Sequence, residues 1–198
     1  MTAEVLRLRS ACRTDPPASD EALAMACAKG DAEAITALFE RYRRPVARYV
    51  HRLLGGSPDV EDVVQSTFLE VARGKSTYDI KRASVQTWLF AIATYVVRHH
   101  RRSGSRRQRL LAAVRWASPS PTLEPGANLD ACRRIDQAKH ALEQLSPKLR
   151  EAFVLCELEG FSAAKAGAVL GISEAAVWKR VSKARQFIRR MVLGGEHV

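Results

Sequence analysis

From Asp31 onward the apolar side chains fall at Ile35, Leu38, Phe39, Tyr42, Val46, Tyr49, Val50 and Leu53, one stripe with the period of an α-helix. A strand would need strict alternation, so this segment has to be a long amphipathic helix that buries one face against something else. Asp31, following Gly30, is placed to cap it, and Pro45 is expected to kink it. The same period recurs along the chain and no segment reads as a convincing strand, which makes the expected fold all-α.

A short helix over 21–29 precedes the long one. Ser57-Pro58 then announces the next, with a cap followed by proline at the first helical position. It buries Val60, Val63, Val64, Thr67 or Phe68, and Val71, and presents Asp59, Asp62, Gln65, Ser66 and Glu70 on its other face. A polar loop over 75–82 leads to a helix over 84–102. There Val85, Trp88, Leu89, Ile92, Ala93 and Val96 face inward, and Ala91, Thr94, Tyr95, Arg98, Arg101 and Arg102 form an outward stripe. The run SPSPTLEPG over 118–126 has no period and cannot continue a helix. The chain is therefore expected to form two small helical domains joined by a flexible, Pro-rich linker, the C-terminal one a helix-turn-helix. Boundaries follow at a disordered lead over 1–19, a first domain over 20–103, the linker over 104–128 and a second domain over 129–198.

Charge narrows the function. A net charge of +11 on 198 residues calls for a polyanion, and nucleic acid is the leading candidate. The charge is also segregated: Arg98, Arg101, Arg102, Arg106, Arg107 and Arg109 form a run without an acid, whereas residues 59–70 contain no base. Opposite faces for opposite partners are implied. No apolar run approaches the roughly 20 residues that a membrane-spanning helix requires. No signal peptide is read at the start, where Arg7 and Arg9 interrupt the apolar residues, so the expected location is cytoplasmic. Cys12, Cys27, Cys132 and Cys156 form no CxxC pair, and the five histidines make no metal spacing. Without a phosphate-binding glycine loop either, no catalytic residue, metal site or cofactor is expected.

Two motifs carry the specific reading. In GISEAAVWKR over 171–180, Gly171 makes a tight turn, Ser173 caps a helix, and Val177, Val181, Ala184 and Ile188 recur at helical spacing. Glu174, Ala175, Trp178, Lys179, Ser182 and Arg185 are left facing outward, as in a DNA-recognition helix. The second motif is the acidic helix DVEDVVQSTF over 59–68, which a bare DNA-binding domain would not need. On the outward stripe of the helix over 84–102, arginines suit phosphates and an aromatic ring suits an exposed base. Tyr95 is read equally well as a packing residue.

These blocks, with TWLFAIA over 87–93, LSPKLREAFV over 145–154, EGFS over 159–162 and KAR over 183–185, resemble extracytoplasmic-function (ECF) sigma factors of the sigma-70 superfamily. The resemblance implies a subunit that binds core RNA polymerase, directs it to promoter DNA and is controlled by an anti-sigma factor. It assigns Asp59, Asp62, Gln65 and Phe68 to the polymerase. Lys75, Tyr78, Asp79, Lys81, Thr94, Tyr95, Arg98, Arg101 and Arg102 go to the minus-ten element, where the family opens the duplex and captures a flipped base. Ser173, Glu174, Ala175, Trp178, Lys179, Arg180, Ser182, Lys183 and Arg185 go to the minus-thirty-five element in the major groove. Tyr95 and His99 depart from the Asn and Asp common in relatives. Trp178, where a lysine is usual, is read as a packing residue in preference to one that stacks on a sugar or touches a thymine methyl. A free-standing helix-turn-helix regulator is the alternative, but it leaves the acidic helix without a use.

Overall fold

The computed structural model describes residues 19–74, 78–111 and 129–193, and the chain is helical through most of them, with no strand among the described residues. The expected lead, Lys75 and the Pro-rich stretch lie outside the described residues, apart from Ser19 and the first residues of the expected linker, which continue a helix. The N-terminal unit consists of α1 (Asp20–Cys27), α2 (Ala32–Leu54), α3 (Val60–Ala72) and α4 (Val85–Leu111). The C-terminal unit consists of α5 (Leu129–Gln144), α6 (Pro147–Phe153) with a π-helical turn after it (Val154–Leu158), α7 (Ala163–Leu170) and α8 (Glu174–Leu193).

Local chemistry sets most of the helix starts. Asp31 accepts from the amides of Glu33 and Ala34 at 3.0 and 3.1 Å, Ser162 from Lys165 at 3.3 Å and Ser173 from Ala176 at 3.3 Å, each meeting a donor that the first turn leaves open. Ser57-Pro58 departs from expectation. The chain makes a turn there, with Ser57 Oγ accepting from the Asp59 amide and donating to its carboxylate, and α3 begins only at Val60. Ser57 spends its hydroxyl on that turn, so it caps nothing. Pro45 lies within a helix that runs on to Leu54.

Val46, Tyr49, Val50 and Leu53 of α2 are buried with Val63, Val64 and Thr67 of α3 and Leu89, Phe90 and Ala93 of α4. In the C-terminal unit, Ala141, Leu145, Ala152 and Leu155 are buried with Val177, Val181 and Ala184 of α8. Most of these side chains belong to one continuous apolar cluster, because α7 packs on α4 and the π turn packs on α2. The two units are thus docked directly on each other.

Candidate nucleic-acid and partner interfaces

On α3 the period that buries Val63, Val64 and Thr67 leaves Glu61, Asp62, Gln65, Ser66 and Leu69 in solvent. Glu61 is paired with Arg43 at 2.9 Å, and Asp59 meets the His100 ring at 3.1 Å. Asp62 and Gln65 have no side-chain partner among the described residues. Phe68 is different: it is buried, with its ring edge-on to Phe39 at 4.9 Å, because it falls on the same face as Val64 and Val71. Any contact it makes with a partner would need it to leave that packing.

The loop and α4 split the expected stripe. Asp79 and Lys81 are exposed, and Asp79 accepts from the Lys81 amide at 3.0 Å in a local turn. Tyr78, expected in a polar loop, is buried against Trp88 with ring centroids 5.5 Å apart, since Trp88 offers more apolar surface than the loop can leave uncovered. Thr94 is also buried and not outward. Its hydroxyl donates to the Phe90 carbonyl at 2.7 Å and so accepts from the Tyr49 hydroxyl at 2.7 Å, which provides a polar partner inside the core. Burial pushes the Tyr49 hydroxyl pKa far up. Tyr95, by contrast, is 62% exposed, and Arg102 is exposed about two turns farther along. Arg101 is largely covered, donating to the Leu53 carbonyl at the C-terminal end of α2, and burial lowers its guanidinium pKa.

In the C-terminal unit α7, the Gly171 turn and α8 form the expected helix-turn-helix. Gly171 has φ 69°, the left-handed conformation that ends α7 without a Cβ penalty. Ser173, Glu174, Ala175, Trp178, Lys179, Ser182, Lys183 and Arg185 are all exposed, and Arg180 is half-buried. Trp178 is 52% exposed, so it covers only part of its own surface. Arg185 is paired with Glu157 on the π turn at 2.7 Å.

Sequence reasoning missed what lies between the units. Arg98 is not free for solvent: its Nε and Nη2 donate to the two Glu151 oxygens at 3.1 and 2.7 Å, a forked pair that raises the arginine's pKa. Arg52 and Arg48 reach Glu159 at 2.5 and 3.4 Å, and Arg52 also donates to the Leu158 carbonyl at 3.1 Å. Arg150 donates to the Leu53 carbonyl at 2.9 Å. Tyr49, Phe90 and Phe161 stack in nearly parallel succession, at 4.4 and then 5.4 Å, across the boundary. Glu151 and Arg150, both buried on α6, carry the contacts to Arg98 and Leu53, and no local period in the sequence marks them.

Residues 38–107 match Sigma-70 region 2 and residues 135–188 match Sigma-70, region 4. The RNA polymerase sigma factor NccH of Alcaligenes xylosoxydans xylosoxydans is 32% identical over 172 residues, covering 85% of this chain and 92% of that one. The ECF RNA polymerase sigma factor SigC of Mycobacterium tuberculosis is 34% identical over 165 residues, covering 83% and 86%. Among solved structures, that of CnrH in complex with the cytosolic domain of CnrY is similar with a TM-score of 0.61 and 27% identity, covering 88% of this chain and 97% of that one. The sigma factor RpoE of Bartonella quintana, solved in complex with the anti-sigma factor NepR, shares the fold with a TM-score of 0.63 at 24% identity, covering 77% and 92%. Two sigma-70 regions matched in order on one chain mark a transcription initiation factor. The chain belongs to the ECF family of RNA polymerase sigma factors.

Proposed function

We propose that this sigma subunit docks on core RNA polymerase through Asp59, Asp62 and Gln65 on the acidic face of α3, with residues 20–103 acting as region 2, 104–128 as the tether and 129–198 as region 4. The loop over 75–82 and the exposed side of α4 meet the minus-ten element, and α8 lies in the major groove of the minus-thirty-five element. The observation that supports this most is the exposure of Asp62 and Gln65, unpaired, on the side of α3 opposite Val63 and Val64. Charge complementarity of that kind sets encounter rate and register on a basic partner. A free-standing regulator would have no use for it.

The subunit works in the cytoplasm, where its polymerase is, and no described helix is long and apolar enough to cross a membrane. Control by an anti-sigma factor is carried over from the complexes of similar folds. Two experiments test the proposal. In vitro transcription with core polymerase across a genomic promoter library is expected to give specific start sites and to report the recognised sequence. Pull-down on core polymerase is expected to lose the Asp62→Arg, Gln65→Ala double variant while its helix content stays intact; undiminished capture removes the α3 assignment.

A further inference from the structure

We infer that Glu151 and Glu159 form an intramolecular latch on arginines of the N-terminal unit in which the Glu151 carboxylate takes the place of a DNA phosphate on Arg98, so that the docked arrangement and promoter engagement exclude each other there. The part concerning DNA rests on the promoter-binding role proposed above; the latch itself rests on geometry alone.

Both carboxylates are nearly sealed, with side chains only 2% exposed, yet both belong to the C-terminal unit and take their arginines from the N-terminal one. Separated, each carboxylate would return to water. Docked, each has lost that water and depends on Arg98 or on Arg52 and Arg48 to compensate. A guanidinium engaged through Nε and Nη2 by a carboxylate has used the fork that would otherwise grip a phosphate. Arg98 therefore serves Glu151 or a nucleic-acid strand, one at a time.

Other charges oppose the docked state. Arg101 of the N-terminal unit and Arg150 of the C-terminal unit both donate to the Leu53 carbonyl, and each guanidinium pKa is lowered by burial, that of Arg150 also by its neighbour Arg101. A cleft of about 390 Å³ between the units adds Arg102, Lys148 and Arg180 to Arg98 and Arg101, with Glu151 the one acid lining it. Like charges gathered this closely are held together by the two carboxylates, the helix end of α2 and the Phe90–Phe161 stack. A polyanion that binds the separated arginines better than the docked ones shifts the balance toward opening.

The test uses the full chain with a donor and an acceptor dye attached through unnatural amino acids at the exposed positions Thr36 and Gln186. Wild type is expected to give high energy transfer, and Glu151→Arg with Glu159→Arg to lower it while circular dichroism keeps the same helix content. Arg98→Glu combined with Glu151→Arg should close the chain again. Glu151→Gln is the milder variant, and it should open at lower salt than wild type. On a single-stranded minus-ten oligonucleotide, Glu151→Gln should bind about tenfold more tightly, as expected when the competent fraction rises by that factor. Unchanged transfer in the charge-reversed and Gln variants overturns the latch even where the holoenzyme transcribes normally. Lowered transfer with no gain in oligonucleotide binding overturns the competition at Arg98. Failure of the promoter reading has its own signature: no specific initiation by the holoenzyme, whatever the dyes report.

Discussion

Gly167 lies inside α7, where helix propensity alone would favour alanine by about 1 kcal/mol. A Cβ at that position would stand 2.7 Å from the Ile172 carbonyl oxygen, a backbone atom that cannot swing aside. The Ile172 and Gly171 amides both return to the Gly167 carbonyl, so the turn into α8 is wound directly against this residue. The clash outweighs propensity, and Gly167→Ala is expected to destabilise the C-terminal unit by about 1–3 kcal/mol, read as a lower Tm. A Tm at or above that of wild type would contradict it. Asp20 offers a pH test. The Tyr42 hydroxyl, then Arg41, hold its carboxyl below the usual aspartate range against some opposing burial, while burial and Asp20 push the Tyr42 hydroxyl up. Because the folded value lies below the unfolded one, the stabilisation is fully present above about pH 3.9 and is lost as pH falls through the depressed value. Asp20→Asn should therefore melt earlier than wild type at neutral pH, with the gap closing in acid. A gap that persists unchanged in strong acid would assign the effect to something other than the carboxylate.

On α8 the outward residues divide by position. Glu174 and Lys179 lie toward the N-terminal half, which reaches base edges when such a helix enters a major groove; Lys183 and Arg185 come later, where phosphates are met. Lys179→Ala in the holoenzyme should relax the preference at one minus-thirty-five position by about 1–3 kcal/mol, and a full base-preference profile measures it. Arg185 carries a competitor, since Glu157 holds it at 2.7 Å. Glu157→Gln should tighten binding to every duplex alike and steepen the salt dependence; a change confined to one base position would mean that Arg185 reads sequence. What the sequence made legible at this scale follows the range of each interaction. The stripe on α2, the caps at Asp31, Ser162 and Ser173 and the Gly171 turn are matters of neighbours within a few residues, and the helices stand where those signals put them. The α4 stripe was misread at Thr94 because its inward turn depends on Tyr49, 45 residues away. The burial of Tyr78 was not legible because Trp88, which it packs against, lies ten positions on and in another element. Arg98 was read toward solvent because Glu151 is 53 residues distant, across a junction that no local period reveals.

Across the whole molecule, the rings of Tyr49, Phe90 and Phe161 are the apolar counterpart of the arginine pairs, running from α2 through α4 into the C-terminal unit. Tyr49 and Phe90 are fully buried and Phe161 is 8% exposed, so the last ring covers the second and the second covers the first. A stacked aromatic pair is worth about 0.5–1.5 kcal/mol beyond its buried area, enough for one unit to steady helices of the other. Phe161 also sits in a backbone held independently of its ring, its amide donating to the Leu155 carbonyl at 2.9 Å after the Gly160 turn. Phe161→Ala can therefore remove the ring and leave the turn in place. Amide hydrogen exchange of the full chain is the appropriate measurement, because it resolves each helix separately. Exchange should quicken in α4 around Phe90 and in α2 around Tyr49, although the substitution lies in the opposite unit. Trp178→Ala, which removes an exposed ring of the same unit, should leave those amides as they are. If Phe161→Ala speeds exchange only in its own unit, the rings merely touch and the two halves of the chain do not share their stability.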